Sequence, residues 1–273
     1  MGGRGRLQVR ILGCGSSGGV PRIGNDWGVC DPAEPRNRRS RCSILLRWSG
    51  AGATDQTLVL VDTSPDMRDQ LLAANVQRLD AVLMTHDHAD QSHGLDDLRA
   101  LVLRAYKRIP VHMDEPTAST LAVRFGYCFE GAGSYPAILD KHVDIRPGQV
   151  MEVPGAGGPM PVLPLDQDHG GGPSLGFRIG SFAYCNDVVR LPEETLAQLG
   201  GLHTLVVDAL RYKPHPTHAS VADALAWIDR LKPRRAILTN LHVDLDYRKL
   251  RSELPEGVEP AFDGMELEIP QNG

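Results

Sequence analysis

The segment Met84–His93 constrains this chain more than any other feature, because it follows the apolar run Asp80–Met84 and holds three histidines and two aspartates. The apolar run predicts a buried strand, so the histidines lie in the loop at its end. Neutral imidazole and ionised carboxylate are the ligands of Zn²⁺ and its neighbours. Loops without such a task favour Gly, Asn, Ser and Pro, so a merely solvated loop is the less favoured interpretation. The segment therefore predicts a metal site at a sheet edge, with an Asp available for a second ion.

Three further candidate ligands stand alone, each after a β-like run: His169 after 160–165, Asp187 after 181–185 and His242 after 235–239. Taken singly, each is more readily explained as a surface or capping residue. In this order, and each at a strand end, they indicate one shared metal centre.

Composition limits the classes of protein that the chain can belong to. Its 273 residues are 41% hydrophobic and 23% charged, which are ordinary globular values. The net charge of −5 and pI near 6.0 give no general attraction to nucleic acid. No apolar stretch of about 20 residues is present to span a membrane, and Met1–Arg6 lacks the core of a signal peptide. Five widely spaced cysteines make a disulfide framework improbable, so we expect a cytoplasmic protein.

Short β-branched runs alternate with helical patterns in both halves of the chain, which predicts two sheets between layers of helices. The predicted strands are 7–12, 43–48, 57–62, 81–84, 109–113, 160–165, 175–179, 182–185, 204–208, 235–239 and 265–269. The predicted helices are 65–74, 95–103, 115–125, 192–199 and 219–231, the last with a capping box from Ser220 and Asp223. The Gly/Pro-rich stretch Pro154–Pro161 is expected to join the two halves of a single domain, 1–273.

The histidine loop resembles the HxHxDH motif of the metallo-β-lactamase superfamily, with Gln91 where the family usually has His. Three further segments resemble its phosphoribosyl cyclic phosphodiesterase (PhnP-like) branch: the Gly/Ser-rich loop 13–21 ending in Val-Pro, the DTSPDMRDQLL segment 62–72 and the GLDDLR segment 94–99. The likeness covers essentially the whole chain. It implies an α/β (α+β) fold, the αββα sandwich of two mixed β-sheets flanked by helices.

The resemblance implies two divalent metal ions, Zn²⁺ or Mn²⁺. Their ligand positions are His86, His88 and His169 for the first ion, Asp90, Gln91 and His242 for the second, and Asp187 as the bridge. An amide is a weaker donor than imidazole, so Gln91 is expected to weaken the second site and to favour Mn²⁺ there. His93 lies on the same loop and is an alternative ligand, although two extra residues should carry it past the ion.

Further candidate residues lie beside these ligands. Asp62 is either an acceptor that orients a ligand histidine or the N-cap of the helix after Ser64, with the two interpretations even. His218, in the loop before the helix 219–231, resembles a histidine that contacts phosphate or protonates the leaving oxygen. A helix N-terminus should lower its pKa and favour phosphate; a capping or surface role is the alternative. His218 and Asp90 are the candidate catalytic residues.

Substrate contacts are expected from Ser16 and Ser17 of the Gly/Ser-rich loop, and from His215 and His218. The basic run Arg36–Arg41 precedes a strand and either attracts a phosphorylated substrate or is a solvated loop. Cys30 and Cys42 stand near the place where some branch members carry a structural zinc site, but buried thiols are favoured here.

These residues favour a metal-dependent phosphodiesterase that acts on a small phosphorylated substrate, a cyclic ribose phosphate or nucleotide, through attack by metal-bound hydroxide. The alternatives are a nuclease of the RNase Z type and a thioester or lactone hydrolase of the same fold. The acidic pI disfavours a nucleic-acid partner. No membrane partner is expected, and a homodimer is compatible with the sequence.

Overall fold

Two seven-stranded sheets pack face to face in the computed structural model, which describes residues 5–270. The strands of the first sheet are β1 (Arg6–Gly13), β2 (Ser43–Ser49), β3 (Thr57–Val61), β4 (Ala81–Leu83), β5 (Ile109–His112), β6 (Leu139–His142) and β14 (Glu266–Ile269). Those of the second are β7 (Met151–Val153), β8 (Met160–Asp168), β9 (Pro173–Ile179), β10 (Phe182–Cys185), β11 (Thr204–Asp208), β12 (Arg235–Thr239) and β13 (Val258–Pro260).

Each sheet has an antiparallel half and a parallel half. In the first, of order β14-β1-β2-β3-β4-β5-β6, the pairs from β14 to β3 are antiparallel and those from β3 to β6 are parallel. In the second, of order β13-β12-β11-β10-β9-β8-β7, the pairs from β13 to β10 are parallel and the rest antiparallel. Parallel strands end at a common edge, so the polar residues that follow β3, β4, β10, β11 and β12 can converge there.

Helices cover the outer faces of both sheets. They are α1 (Met67–Ala73), α2 (Ala89–Ser92), α3 (Arg99–Ala105), α4 (Glu115–Glu130), α5 (Glu193–Gln198), α6 (Val221–Leu231) and α7 (Tyr247–Glu253), with 3₁₀ turns at Pro35–Asn37 and Leu95–Leu98. The capping box predicted for α6 is confirmed, since Ser220 and Asp223 exchange side-chain to backbone hydrogen bonds. Helix α4 was expected to end at Phe125. Instead it kinks at that residue and continues for another turn.

Three apolar clusters hold the layers together, as an αββα sandwich requires. One cluster, which includes Val9 and Phe177, takes residues from both sheets and fills the space between them. A second packs the first sheet against its helices, and a third packs the second sheet against α5 and α6. The predicted fold class is confirmed. None of the helices within residues 5–270 is long and apolar enough to cross a membrane.

The prediction that Pro154–Pro161 joins the two halves is wrong. This stretch lies between β7 and β8, which are antiparallel neighbours in the second sheet, and the chain passes from one sheet to the other between β6 and β7. The reason is that β7 is short and was not predicted. The turn still contacts the first sheet, where Gly50 donates to the Gly157 carbonyl at 2.7 Å and Thr57 Oγ1 to the Gly158 carbonyl at 2.7 Å.

Candidate active site

Three histidines from two sheets meet at the sheet edge. His86 and His88 lie in the loop after β4, and His169 directly follows β8. One ring nitrogen from each falls within 4.8 Å of the other two. Burial lowers the pKa of His86 well below its usual value and that of His169 to about 4, so both rings are uncharged at neutral pH. Uncharged imidazole is the form that binds a metal ion.

Hydrogen bonds behind two of these rings fix which nitrogen faces the centre. Thr85 Oγ1 lies 2.9 Å from His86 Nδ1 and 2.8 Å from Asp62 Oδ2, so Asp62 orients His86 through the threonine hydroxyl. His169 Nδ1 donates to the Thr217 carbonyl at 2.7 Å. That approach needs glycine at 170, because a Cβ there would lie 2.3 Å from the Pro216 carbonyl. In both rings Nε2 is the nitrogen left for a ligand.

Asp62 therefore does not cap the helix after Ser64. Both of its carboxylate oxygens accept from Thr85, one from the backbone N–H at 2.8 Å and one from the hydroxyl. The side chain of Ser64 itself accepts from the backbone of Asp66 at 3.2 Å. Burial raises the pKa of Asp62 to about 8, which a cation nearby would offset.

Two buried carboxylates, Asp187 after β10 and Asp208 at the end of β11, lie beside the histidines. The amide of Asn240 donates to both, at 2.8 Å to Asp187 Oδ1 and 3.2 Å to Asp208 Oδ1. Asp62, Asp187 and Asn240 all have positive φ, at 63°, 51° and 61°. Such angles are uncommon outside glycine and concentrate at functional sites, where the surrounding structure imposes them.

His218 is held by Asp208. Its Nδ1 lies 2.8 Å from Asp208 Oδ2 and 3.6 Å from Asp187 Oδ1, and its ring centroid is 4.7 Å from that of His169. The prediction that its pKa is lowered is wrong. Burial alone would lower it, but the hydrogen bond and charge of Asp208, with the charge of Asp187, outweigh burial and raise the pKa of His218. The helix α6 begins three residues later at Val221, too far to dominate.

The residues assigned to a second ion are not gathered as a ligand set. Gln91 is buried, and its Nε2 donates to Asp187 Oδ2 at 2.9 Å while its Oε1 has no partner. Asp90 is half-buried in α2, and its charge, after burial, raises the pKa of Asp187. His93 is exposed and packs against Phe125, with 5.7 Å between ring centroids, so it points away as expected.

His242 contacts a guanidinium instead of joining the group. Its Nε2 faces Nη2 of Arg22, and its Nδ1 lies 3.1 Å from Asp244 Oδ2. Burial, and then the charge of Arg22, lower the pKa of His242. His242 belongs to neither of the groups of ligand atoms at this edge, His86–His88–His169 and Asp187–Asp208–His218.

The proposed substrate residues are spread around this edge. His215 lies next to His218, with 5.2 Å between ring centroids, and its Nδ1 accepts from Thr217. Ser16 is buried, and its backbone N–H donates to the Leu241 carbonyl at 3.4 Å, whereas Ser17 is exposed. Ser16 therefore borders the chain segment that carries His242.

Most of the basic run Arg36–Arg41 is engaged by other residues of the protein. Arg36 pairs with Glu34, Arg41 pairs with Asp66 at 2.8 Å, and Arg38 stacks on Trp27. Arg39 is buried and donates to the carbonyls of Leu245 and His242 at 2.8 and 3.3 Å. These arginines hold loops in place.

Cys30 and Cys42 are buried free thiols, which agrees with the favoured interpretation. Cys30 Sγ donates to the Val243 and Leu245 carbonyls, and Cys42 Sγ to that of Gly15. Neither belongs to a group of candidate metal ligands within residues 5–270.

A cleft of about 340 Å³ opens onto the three histidines. Its other walls come from the start of α4, including Asp114 and Thr117, and from Gly171–Pro173 and Thr217. A second cavity of about 410 Å³ is lined by the Gly/Ser-rich loop and Arg38–Arg41 and touches none of the candidate ligands. The first cleft is therefore where a substrate would meet the histidines.

Four positioning residues were not predicted: Thr85, Asp208, Thr217 and Asn240. Asp208 ends a predicted strand, as Asp62 does, and that shared position was the available signal. Asn240 stands two residues before His242 in a segment already singled out. Thr85 and Thr217 act through a hydroxyl and a carbonyl, for which the sequence has no signature.

The three histidines fit a divalent ion. Nε2 of His86 is buried, lies 3.4 Å from Asp187 Oδ2 and has no hydrogen-bond partner, which is costly for a buried polar atom unless a ligand satisfies it. Nitrogen ligands with carboxylate nearby suit Zn²⁺ or a neighbouring transition metal. The buried side chains of Asp187 and Asp62 would be stabilised by its charge.

Comparisons with known proteins agree on the fold. A family model described as a beta-lactamase superfamily domain matches residues 57–240, more than half of the chain. A crystal structure of a diphosphatase from the PhnP family is 34% identical, with a TM-score of 0.86 and 97% of each chain covered. Zinc-bound PqqB from Methylobacterium extorquens is 18% identical, with a TM-score of 0.70 over 96% of this chain and 100% of the other. That last likeness is one of fold alone.

A curated relative is an octanoyltransferase from Porphyromonas gingivalis, which is 32% identical over 271 residues. The match takes in 98% of this chain but 52% of the relative, so the chain spans about half the length of that protein. The family match includes the histidine loop, His169, Asp187 and His218. The chain therefore belongs to the metallo-β-lactamase superfamily, close to its PhnP branch.

Proposed function

We propose that the protein is a phosphodiesterase that hydrolyses a small phosphorylated substrate, with a cyclic ribose phosphate or a nucleotide as the favoured class. The observation that carries the proposal is His218, held on Asp208 at 2.8 Å and placed beside His169 at the histidine cluster. A divalent ion on His86, His88 and His169 would stabilise charge on phosphoryl oxygens and lower the pKa of a bound water.

The His218–Asp208 pair suits a poor leaving group. Asp208 accepts the Nδ1–H, which orients the ring and raises the pKa of His218, and this favours the protonated ring whose Nε2–H can be donated. The alkoxide of a ribose needs such a proton as the P–O bond breaks. A thiolate leaving group does not need such a proton, so the His218–Asp208 pair favours a sugar phosphodiester over a thioester as the substrate.

The neighbouring residues restrict how this pair moves. Asn240 Nδ2 donates to Asp208, which accepts from His218 Nδ1, and to Asp187 as well, so it links the carboxylate that holds His218 to the one that faces His86. The cleft of about 340 Å³ is of the size that takes a small molecule. With a net charge of −5, a long polyanion is a less favoured partner.

The test is turnover by the purified protein loaded with Zn²⁺ or with Mn²⁺. The substrates are bis-p-nitrophenyl phosphate, ribose cyclic phosphates and dinucleoside diphosphates, with nitrocefin, a glutathione thioester and a precursor tRNA as competing classes. We expect hydrolysis of the small phosphate esters to exceed that of the other classes. Preferential turnover of the thioester or of the tRNA, without turnover of any small phosphate ester, would contradict the proposal.

A further inference from the structure

The side chain of Gln91 stands where a histidine ligand of a second ion would be. Its amide nitrogen is engaged by Asp187, and its Oε1 has no hydrogen-bond partner. Its Nε2 donates to Asp187 Oδ2 at 2.9 Å, on the oxygen that lies 3.4 Å from His86 Nε2. Turning the amide over would place Oε1 against a carboxylate oxygen, so Asp187 fixes the orientation. An amide nitrogen has no lone pair to offer a metal. Gln91 therefore stabilises the charge of Asp187 by donating a hydrogen bond to it.

Both ring nitrogens of His242 are already in contact with other groups. Its Nδ1 accepts a hydrogen bond from the backbone N–H of Asp244 at 3.3 Å, and Asp244 Oδ2 lies 3.1 Å from the same nitrogen. Its Nε2 faces the guanidinium of Arg22. Because arginine is charged at every accessible pH, a divalent ion on this nitrogen would have to displace a fixed cation.

Arg22 is held in this position by Asp26, in the turn that follows the Gly/Ser-rich loop. Its backbone pairs with Asp26 in both directions, at 2.9 and 3.2 Å, and Nη1 lies 3.6 Å from Asp26 Oδ2. A Cβ at Gly18 would lie 3.1 Å from Arg22 Cγ, so glycine at 18 leaves room for the arginine stem. The side chain remains 38% exposed, and its other N–H groups are free to meet solvent or substrate.

We propose that Arg22 and Gln91 together replace the second metal site, so that this chain holds one divalent ion, on His86, His88 and His169. The guanidinium of Arg22 then takes the place of the second cation and binds a non-bridging phosphate oxygen. Arginine pairs with phosphate through two parallel hydrogen bonds, so it can bind the substrate without a metal ion at this position. The substrate part of this proposal rests on the proposed function, whereas the metal count does not.

Metal content tests the first part without any substrate. The protein, loaded with excess Zn²⁺ or Mn²⁺ and then dialysed, is analysed for metal per chain by mass spectrometry. We expect about one ion in the wild type and in Arg38→Gln, an exposed arginine stacked on Trp27 that serves as the matched control. The double variant Arg22→Gln with Gln91→His should approach two. Two tightly held ions in the wild type would overturn the proposal.

Kinetics test the second part. For a phosphodiester substrate, Arg22→Gln should lower kcat/KM by about 10²-fold or more with the metal count unchanged, and Arg22→Lys should recover part of the loss. Gly18→Ala crowds the stem of Arg22 but keeps its charge, so it should cause a smaller fall in kcat/KM. This variant checks that the loss in the Arg22 variants does not come from a folding defect. Wild-type kcat/KM in Arg22→Gln, or loss of the single ion there, would overturn the substrate role.

The two proposals fail in distinguishable ways. A wild type that hydrolyses phosphodiesters but retains two ions overturns the replacement of the second site and leaves the proposed function standing. A wild type with one ion that turns over none of the phosphate esters overturns the function and leaves the metal count standing.

Discussion

Two groups of histidines lie beside the first sheet, and they use their ring nitrogens differently. His86, His88 and His169 form one group, and His112, His142 and Asp144 form the other; in each, the candidate ligand atoms fall within 4.8 Å of one another. In the first, a buried Nε2 of His86 has no partner. In the second, His112 Nδ1 lies 2.9 and 3.0 Å from the two carboxylate oxygens of Asp144. Spacing alone therefore does not separate a metal centre from a structural hydrogen-bonded pair.

The state of each nitrogen does separate them. In the first group, Thr85 and Thr217 occupy Nδ1 of His86 and His169, so that Nε2 of each ring is directed inward. In the second group, the nitrogen nearest the carboxylate is already satisfied, and both His142 and Asp144 are exposed to water. The same criterion, applied to His242 and its contact with Arg22, underlies the inference of a single ion.

The largest effect is expected from His88→Ala. Removing one of three neutral ligands should abolish turnover and reduce the metal content well below that of the wild type. The matched control is His93→Ala, an exposed residue of the same loop that packs on Phe125 and should keep its metal. The measurement is the number of metal ions per chain after dialysis, with folding checked by circular dichroism. Full occupancy in His88→Ala would show that His88 is not a ligand.

His218→Ala should keep the metal and the fold but lower kcat, by about 10²–10⁴-fold if His218 is a general acid. The loss should be large for a ribose leaving group and much smaller for p-nitrophenolate, which leaves without a proton. Comparing kcat on the two kinds of substrate measures this dependence. Equal losses on both would reduce His218 to a binding residue and remove the reason for preferring phosphodiesters.

The fold and the core of the site could be predicted because they depend on local signals. The strand runs, the apolar face of α6 and the histidine loop can each be recognised within a short stretch of sequence. The elements missed were short or polar: β6 reads Leu-Asp-Lys-His and is an edge strand, where polar residues are expected. An element with one apolar residue in four has no periodicity to detect.

The contacts that decide the chemistry could not be predicted because they join distant segments. Arg22 meets His242 only after β12 is placed beside the Gly/Ser-rich loop, where Gly15 pairs with Leu241. Likewise, the raised pKa of His218 follows from Asp208, since β11 ends next to the loop that carries His218. In each case the residue types were visible, but which strands become neighbours was not.

Thr85→Val should have an intermediate effect. It keeps the shape of the side chain but breaks the link from Asp62 to His86, so affinity for the ion should fall by about 10–100-fold. Thr195→Val is the control, since its hydroxyl donates to the Asp166 carbonyl at 2.7 Å away from the site. Thr85→Val loses two hydrogen bonds and Thr195→Val loses one, each worth about 1 kcal/mol. Competition with a chromophoric chelator measures the affinity; equal affinities in the two variants would leave Thr85 a merely structural residue.

The smallest effect is expected from His142→Ala, in the second histidine group. His142 is an exposed residue of an edge strand, and its ring lies 4.8 Å from that of His112 without a hydrogen bond to it. The His112–Asp144 pair is untouched, so the free energy of unfolding should change by no more than about 0.5 kcal/mol. Zinc titration of the variant should match that of the wild type, because the nitrogens that bind the ion are elsewhere. If His142→Ala instead removed a bound zinc ion, the second group would be a metal site too. The hydrogen bond from His112 Nδ1 to Asp144 would then no longer distinguish the second group from the first.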